Sequence, residues 1–561
     1  MPSLNFKGKA LVQNFHLLVP YHELKPVKSK SLTSKVSLHD NLVVHGDNLK
    51  ALKSLLPYYH GKVKCIYIDP PYNTGNEGWV YNDNVSSPMI QEWLGKVVDR
   101  EDLTRHDKWL CMMMPRLKLL RELLDDKGLI GISIDENEFS NLITLCDEVF
   151  GENNLFGVVI VRNNPRGRRL GTEFAVEHEY LVLYARNREQ FSAGRLPLTD
   201  EQLSEYTEID FEGKRSRLIG LRKRGALSRR IDRPNLYYPL FGDRASGRVY
   251  LEKAKAREEI LPKLSDGTDG VWRWSKVKVR DEGNKLVVRE VRRRGTADKE
   301  LDVFEFDNAQ DQAGELVGRL FPSIWQGPEF NNETGRDQVK ELFNGKAVFD
   351  NPKPVDLIKH LLILAGSEGG ITLDPFGGSG TTAQAVLELN NADGGNRRFI
   401  LIEEQDFADN ITAERARRVI GSMPEGRSKN GESFSFIEIG HPMQLETMLK
   451  AEKLPSYDDL AGYIFYTATG EDFDARRINR KTGFIGESAQ YDVYLLYEPS
   501  LDYLKNTALT LDVALSLPKG SGKKRLVFAP TKYLDSIHLD EHRIEFCQLP
   551  FEIYKAAKPR R

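Results

Sequence analysis

The sequence Val63-Lys-Cys-Ile-Tyr-Ile-Asp-Pro-Pro-Tyr72 joins a short apolar run to an acid, two prolines and an aromatic ring. The run is rich in β-branched and aromatic residues, which predicts a buried strand of a parallel sheet. The prolines end the strand because proline has no amide hydrogen to donate to a neighbouring strand. We therefore expect Asp69 and Tyr72 at the carboxyl end of a strand, where open α/β sheets bind their ligands.

The residues around this stretch alternate between strand and helix patterns. Residues 42–44 predict a strand and residues 49–56 a helix, so the chain up to Asp69 forms a βαβ unit with parallel strands. Asp47 lies on the same rim as Asp69 and fits either a helix N-cap or a ligand contact. Residues 73–106 lack periodicity and predict a loop able to close over a site. Further strands are predicted at 129–134, 158–162 and 180–184, with helices at 109–124 and 139–150.

Composition limits the class of protein. A chain of 561 residues is too long for one core, so several domains are expected. The four cysteines are scattered without paired spacing, which predicts neither a disulfide framework nor a zinc site. No stretch approaches the ~20 apolar residues that a membrane helix needs, and the start lacks an apolar signal core. We expect a cytoplasmic protein with no membrane partner.

A second candidate site follows the predicted strand 371–374, which runs into Pro375-Phe376-Gly377-Gly378-Ser379-Gly380-Thr381. This turn is not a phosphate-binding P-loop, because no Gly-Lys-Ser/Thr ends it. Its glycines allow a ligand to approach the backbone closely. Glu403 ends the next predicted strand and is placed to accept hydrogen bonds from ribose hydroxyls. A nucleoside without a pyrophosphate fits best, and S-adenosylmethionine is the commonest such cofactor.

Between these two α/β segments the chain becomes basic. Residues 211–300 contain 25 lysines and arginines against 13 aspartates and glutamates. Aromatic residues are interleaved at Tyr237, Tyr238, Trp272 and Trp274. A solvated charged face is the alternative interpretation, but a polyanion such as double-stranded DNA explains this density better. The candidate DNA contacts are Arg222, Lys223, Arg224, Arg229, Arg230, Arg292, Arg293 and Arg294.

The chain resembles the β-class amino DNA methyltransferases, and within that class the modification (Mod) subunits of Type III restriction systems. Asp69-Pro70-Pro71-Tyr72 matches the catalytic motif, and residues 374–382 match the cofactor motif, with the basic insert between them as in the β class. The likeness covers roughly residues 40–425. The stretches that carry it are 46–49, 66–74, 109–138, 178–180 and 349–354, besides the cofactor motif.

The resemblance implies a fold, a domain plan and a cofactor site. The fold is a permuted, Rossmann-like α/β sheet of the S-adenosylmethionine-dependent methyltransferases, with seven strands, one of them antiparallel. The domain plan is an N-terminal arm (1–40), a catalytic half (41–190), a target-recognition insert (191–330), a cofactor-binding half (331–427) and a C-terminal α+β domain for dimerisation or partner docking (428–561). The cofactor-binding residues are Asp47, Lys353, Asp374, Pro375, Phe376, Gly378, Ser379, Gly380, Thr381 and Glu403.

The implied reaction is methyl transfer to the exocyclic amino group of an adenine. Asp69 and the carbonyl of Pro70 accept the two amino hydrogens, and Tyr72 stacks on the base for ~1–3 kcal/mol. The sulfonium supplies its own leaving group, so no metal is expected. The base must be flipped out of the duplex. The resemblance further implies a homodimer and a separate helicase–nuclease restriction subunit.

Other functions remain open from the sequence. Methylation of cytosine N4, of RNA or of a protein amide uses similar chemistry. A protein of a different class, a DNA-binding specificity subunit with a vestigial methyltransferase site, is the remaining alternative. The Asp69 form of the motif favours adenine.

Overall fold

The computed structural model describes residues 4–33, 36–74, 105–169, 175–292, 299–310, 318–422, 433–442, 454–471, 473–518 and 522–549. The chain divides into two compact units. The sheet unit comprises Met1–Gly194 with Pro322–Arg561, and the insert unit comprises Arg195–Phe321. Most of the loop predicted to close over the site, residues 75–104, lies outside the described residues.

The strands and helices are numbered in chain order through these ranges. The strands are β1 (His22–Pro26), β2 (Asn41–His45), β3 (Val63–Ile68), β4 (Leu124–Ile134), β5 (Leu155–Val161), β6 (Arg168–Arg169), β7 (Ala175–Val176), β8 (Glu179–Ala185), β9 (Glu208–Ile209), β10 (Arg215–Gly220), β11 (Leu240–Gly242), β12 (Val249–Tyr250), β13 (Glu258–Ile260), β14 (Leu286–Arg292), β15 (Lys299–Asn308), β16 (Ile324–Trp325), β17 (Ile371–Asp374), β18 (Arg398–Glu403), β19 (Phe434–Pro442), β20 (Phe484–Glu487), β21 (Tyr491–Leu495), β22 (Lys524–Ala529) and β23 (Ile544–Gln548). The helices are α1 (Lys9–Val12), α2 (Phe15–Leu18), α3 (Asn48–Tyr59), α4 (Arg105–Leu123), α5 (Phe139–Phe150), α6 (Asp200–Ser204), α7 (Lys276–Glu282), α8 (Asn332–Leu342), α9 (Val355–Leu364), α10 (Thr381–Asp393), α11 (Glu414–Ser422), α12 (Tyr457–Thr469), α13 (Leu501–Asn506), α14 (Leu511–Ser516) and α15 (Ser536–Glu541).

The core of the sheet unit is a sheet assembled from both α/β segments. Its seven central strands follow the order β2-β18-β17-β3-β4-β8-β5. Six of them run parallel to one another, and β8 runs antiparallel to both β4 and β5. Strands β17 and β18 of the later segment lie between β2 and β3 of the earlier one. The predicted α/β sheet with one antiparallel strand is confirmed.

Three further strands widen this sheet to ten. Strand β19 pairs in parallel with β2, β1 pairs antiparallel with β19, and β16 pairs in parallel with β5. Residues 434–439 were expected in a separate C-terminal domain, and that expectation is wrong for this strand. A short apolar run indicates a strand but carries no information about which sheet edge it joins. Residues 22–26, expected in a peripheral arm, form the neighbouring edge strand.

The central strands are buried because helices cover the sheet. Val44, Ile66, Leu373 and Ile402, one from each of four adjacent strands, belong to a single buried apolar cluster. Near-continuous apolar strands of this kind are typical of parallel sheets covered on both faces. None of the helices in the described ranges is long and apolar enough to cross a membrane.

The insert unit has its own core between small antiparallel sheets. Strands β14-β15-β10-β9 form one sheet and β12-β11-β13 another. The side chains of Tyr238, Trp272 and Trp274 are buried in this core. The expectation that these three aromatic residues interleave with a DNA-binding surface is therefore wrong, because their rings are used to hold the unit together.

The C-terminal part of the sheet unit contains a second, smaller sheet. Its strand order is β20-β21-β22-β23, with β21, β22 and β23 parallel. Helix α12 and these strands share a buried apolar cluster that includes Ile464 and Phe528. The domain therefore buries a core of its own, apart from the strand that it lends to the main sheet.

Candidate active site

The predicted site residues meet at one rim of the ten-stranded sheet. Asp69 follows β3, Asp374 ends β17 and Glu403 ends β18. These three strands are parallel neighbours, so their carboxyl ends open on the same side. The structure therefore brings the two segments of sequence together at a single place.

Lys353 contacts both polar ends of the Asp69-Pro70-Pro71-Tyr72 motif. Its ammonium Nζ lies 2.7 Å from Asp69 Oδ1 and donates to the Tyr72 hydroxyl at 2.8 Å. The same nitrogen lies 4.9 Å from the centre of the Tyr72 ring. Lys353 was predicted to contact the cofactor, and here it contacts the catalytic motif. Its lysine–proline pair precedes α9, so the backbone that carries it is fixed by the start of that helix.

Glu179 is a buried acid at this site; it lies in the stretch 178–180 that carries the family likeness but was not among the predicted site residues. It begins β8, is 2% exposed, and accepts a hydrogen bond from the Tyr72 hydroxyl at 3.2 Å and from Asn163 Nδ2 at 2.8 Å. Its Oε2 lies 3.7 Å from Lys353 Nζ. Burial, followed by the charges of Asp69 and Glu179, raises the pKa of Tyr72 well above its usual value. The Tyr72 hydroxyl therefore stays protonated and donates a hydrogen bond to Glu179.

The backbone of the motif is held by the helix that follows it. The Trp109 indole donates to the Pro71 carbonyl oxygen at 2.7 Å. Asn73, next along the chain, adopts a left-handed conformation with φ 56° and donates to the buried carboxylate of Glu138. His106 Nδ1 lies 2.7 Å from the same carboxylate. These contacts fix the direction in which the motif leaves β3.

The glycine turn after β17 is clamped from the neighbouring elements. Gly378 and Gly380 have φ values of 49° and 80°, a region that favours glycine. The Gly378 amide donates to Glu403 Oε2 at 2.7 Å, and the Thr412 hydroxyl donates to the Gly378 carbonyl at 2.6 Å. A Cβ on Gly380 would lie 2.7 Å from the Thr412 carbonyl oxygen. The turn therefore depends on the absence of a side chain at Gly380.

Two acids of the predicted cofactor set hold this turn in shape. Asp374, 3% exposed, accepts from the Phe376 amide at 3.0 Å and from the Thr382 hydroxyl at 2.6 Å. Burial raises the pKa of Asp374 to about 8. Glu403 accepts from the Gln405 amide as well as from Gly378, and burial raises the pKa of Glu403 too. Their contact with a cofactor stays a prediction.

Asp47 and its neighbour connect the first segment to the glycine turn. Asp47 caps α3 by accepting from the Lys50 amide at 2.9 Å, and its other oxygen lies 3.9 Å from the Arg116 guanidinium. Asn48 donates to the Pro375 carbonyl at 3.0 Å and accepts from Arg116 Nε at 2.6 Å. The N-cap interpretation of Asp47 is thus observed, and its cofactor contact stays a prediction. No local pattern indicated the Asn48 contact, because it spans distant parts of the chain.

Ser379 and Thr381 contact a buried arginine. Arg415 donates to Ser379 Oγ at 2.9 Å and to Thr381 Oγ1 at 2.8 Å. Thr381 in turn donates to the Lys353 backbone carbonyl at 3.2 Å. These two predicted cofactor residues therefore link the glycine turn to the lysine that contacts Asp69.

The candidate DNA contacts of the insert unit fall into two groups. Arg222 and Arg230 pair with carboxylates of their own unit, at 2.6 Å from Asp302 and 3.1 Å from Asp269. Lys223 is half-buried, whereas the remaining described arginines are exposed: Arg224, Arg229 and Arg292. Arg293 and Arg294 lie outside the described residues. The exposed arginines are the better candidates, because contact with phosphate would break no internal ion pair.

The fold and this pair of motifs are those expected of an amino methyltransferase. A family model described as DNA methylase, which covers N6 and N4 methyltransferases, matches residues 63–414. The chain belongs to this DNA methylase family, which confirms the resemblance inferred from the motifs.

The comparison with curated proteins gives the same result. The chain is 33% identical to the EcoPI Mod subunit, part of a Type III restriction-modification enzyme of Escherichia phage P1, over 72% of this chain and 64% of that protein. It is 31% identical to the Type II methyltransferase M.KpnI of Klebsiella pneumoniae, over 69% of this chain and 85% of that protein. The chain is also 31% identical to the EcoP15I Mod subunit of Escherichia coli, over 72% of this chain and 64% of that protein. The chain thus covers under two thirds of the length of these Mod subunits.

Among solved structures, the PvuII DNA methyltransferase (cytosine-N4-specific) covers 72% of this chain and 92% of its own, at 12% identity and a TM-score of 0.34. A score this low adds nothing to the fold described above.

Proposed function

We propose that this protein is a site-specific DNA methyltransferase that transfers a methyl group from S-adenosylmethionine to the exocyclic amino group of an adenine. The contact of Lys353 with Asp69 carries the proposal, because it shows that Asp69 at the sheet rim accepts a hydrogen bond from a nitrogen, as it would from an amino group. Membership of the DNA methylase family supports it.

The motif residues act on the amino group rather than on the methyl group. The amino nitrogen of adenine is a poor nucleophile, because its lone pair is delocalised into the ring. Asp69 Oδ1 and the Pro70 carbonyl accept its two hydrogens and favour a tetrahedral, nucleophilic nitrogen. The Tyr72 ring offers a stacking surface for the base. Lys353 must leave Asp69 before the amino group can take its place.

The residues of the second motif fit a nucleoside cofactor. Gly378 and Gly380, which have left-handed conformations, place backbone atoms without side chains at the rim beside Phe376. The ring of Phe376 packs against the same core cluster as Tyr72. Glu403 lies at the end of the adjacent strand, where related sheets hold ribose hydroxyls. Once bound, the sulfonium supplies an activated methyl group with its leaving group. The chain's task is then to hold the two reactants in line.

DNA recognition is assigned to the insert unit. The target base of a duplex has to be flipped out before its amino group can reach Asp69. The exposed arginines at 224, 229 and 292 provide charge for phosphate contacts.

The similarity to Mod subunits supports a proposed role as the modification subunit of a restriction system. Two of the similar proteins are Mod subunits of Type III restriction-modification enzymes, so a separate restriction subunit is the proposed partner. The proposed homodimer is tested by light scattering on the full chain, where a mass of 63.9 kDa would contradict it.

The activity is tested with S-adenosylmethionine that carries a tritiated methyl group. Duplex DNA, RNA and protein are offered in parallel, and the labelled DNA is digested to nucleosides. We expect label in N6-methyladenine; label in N4-methylcytosine, RNA or protein would assign the alternative. Asp69→Ala should bind the cofactor and DNA yet transfer no label. Failure of the unmodified protein to bind the cofactor would indicate a vestigial site.

A further inference from the structure

We propose that Glu179 is a positioning residue that draws the Lys353 ammonium off Asp69, so that Asp69 is free to accept the target amino group. The inference rests on the proposed function and assigns a role to an acid that the reaction itself does not require.

Glu179 is placed where a lone carboxylate would be costly. It is buried at the start of β8, and burying a charge costs a great deal unless the charge is paired. Its Oε2 accepts hydrogen bonds from Tyr72 and Asn163, both neutral groups. Lys353 Nζ, at 3.7 Å, supplies the opposite charge. The acid and the lysine thus stabilise each other across the site.

Lys353 lies between two carboxylates, and it is closer to Asp69. The Nζ–Oδ1 distance to Asp69 is 2.7 Å, against 3.7 Å to Glu179. In this arrangement the ammonium occupies Asp69 Oδ1, the oxygen that the proposed reaction assigns to the target amino group. A base can enter only if the ammonium has somewhere else to go.

Glu179 provides that alternative position at a short distance. Shortening the 3.7 Å distance from Nζ to Oε2 to the 2.7 Å that now separates Nζ from Asp69 would form a direct ion pair with Glu179. The Tyr72 hydroxyl already bridges the two, since it accepts from Lys353 and donates to Glu179. Without the Glu179 charge, Lys353 would stay on Asp69 and compete with the base.

Glu179→Gln isolates this charge. The glutamine oxygen can still accept from Tyr72 and Asn163, so the hydrogen bonds that shape the site are kept. In single-turnover assays with saturating cofactor and DNA, we expect the methyl-transfer rate to fall roughly 10- to 150-fold, the range for loss of one charged hydrogen bond. The dissociation constant for S-adenosylmethionine and the melting temperature should stay close to those of the unmodified protein.

Glu177→Gln is the matched control. Glu177 lies two residues earlier, is 43% exposed and pairs with Arg162 at the surface. Its replacement also removes one negative charge, but from outside the site. We expect its transfer rate to remain within twofold of the unmodified protein.

The decisive measurement is a double-mutant cycle with Lys353→Met. If Glu179 acts through Lys353, adding Glu179→Gln to the Lys353→Met protein should change the rate by less than twofold. Independent, multiplying losses would overturn the proposal, as would a Glu179→Gln protein that matches the Glu177→Gln control. A fall in cofactor affinity and melting temperature would show a structural role instead. Absence of any transfer by the unmodified protein would refute the proposed function, a separate outcome.

Discussion

Replacing Gly380 with alanine should distort the glycine turn of the predicted cofactor site and leave the rest of the fold intact. Gly380 precedes α10 with φ 80°, and a Cβ there would meet the Thr412 carbonyl at 2.7 Å. The left-handed conformation costs a non-glycine residue ~1–2 kcal/mol. Moving Thr412 also weakens its hydrogen bond to Gly378, a further ~0.5–1.5 kcal/mol. We therefore expect a total loss of about 1.5–3.5 kcal/mol, concentrated at the turn.

The other end of the same helix provides the control. Gly394 ends α10 with φ 72°, and nothing lies within 4 Å of a Cβ placed on it. Gly394→Ala should cost only the ~1–2 kcal/mol of conformational strain. Calorimetric titration with S-adenosylmethionine should show weaker binding for Gly380→Ala and unchanged binding for Gly394→Ala, with chemical denaturation giving both stabilities. Equal cofactor affinity in the two variants would refute the assignment of this turn to the cofactor.

Three further predictions follow from the rim and the insert unit. Because the pKa of Asp374 is raised to about 8, protonation of this carboxyl stabilises the folded state fully below about pH 4, and that stabilisation is lost as the pH rises through about 8. Denaturant titrations should therefore show that the free energy of unfolding falls less between these two pH values for Asp374→Asn than for the unmodified protein. Tyr72→Phe loses the hydroxyl that accepts from Lys353 and donates to Glu179, and it should transfer methyl groups ~10-fold more slowly in single-turnover assays. The affinity for the cofactor should stay unchanged, and an unaltered transfer rate would contradict a role for the hydroxyl. Arg224→Ala and Arg229→Ala should each weaken DNA binding and flatten its salt dependence in anisotropy titrations, whereas Arg222→Ala should mainly lower the melting temperature; the reverse pattern would contradict the division made from their ion pairs.

The sequence predicted the elements that carry the site because their patterns are local. An apolar run that ends in two prolines defines both β3 and the point where Asp69 leaves it. The glycine turn after β17 was predictable for the same reason. The likeness to methyltransferases then supplied what spacing could not, namely that these two strands share a sheet.

The missing parts of the site are contacts between distant residues. Tyr72 and Glu179 are 107 positions apart, and Asn48 and Pro375 are 327 apart. The family likeness at residues 178–180 includes Glu179, but no local pattern shows that this glutamate is buried against Tyr72 before the fold is known. The same limit explains why Trp272 and Trp274 of the insert unit were assigned to a nucleic-acid surface. Both are close to arginines in the sequence, and only the fold shows that they are buried.

The interleaving of β17 and β18 between β2 and β3 has a consequence for how the chain is made. During synthesis β2 and β3 leave the ribosome long before residues 371–403. Their hydrogen-bonding edges therefore stay unpaired until β17 and β18 have been synthesised. Contacts of such long range slow folding and expose unpaired edges to aggregation. The insert unit, which has a core of its own, can fold during this interval. The edges of β2 and β3 that later pair with β18 and β17 nevertheless stay unpaired in the nascent chain until those two strands emerge.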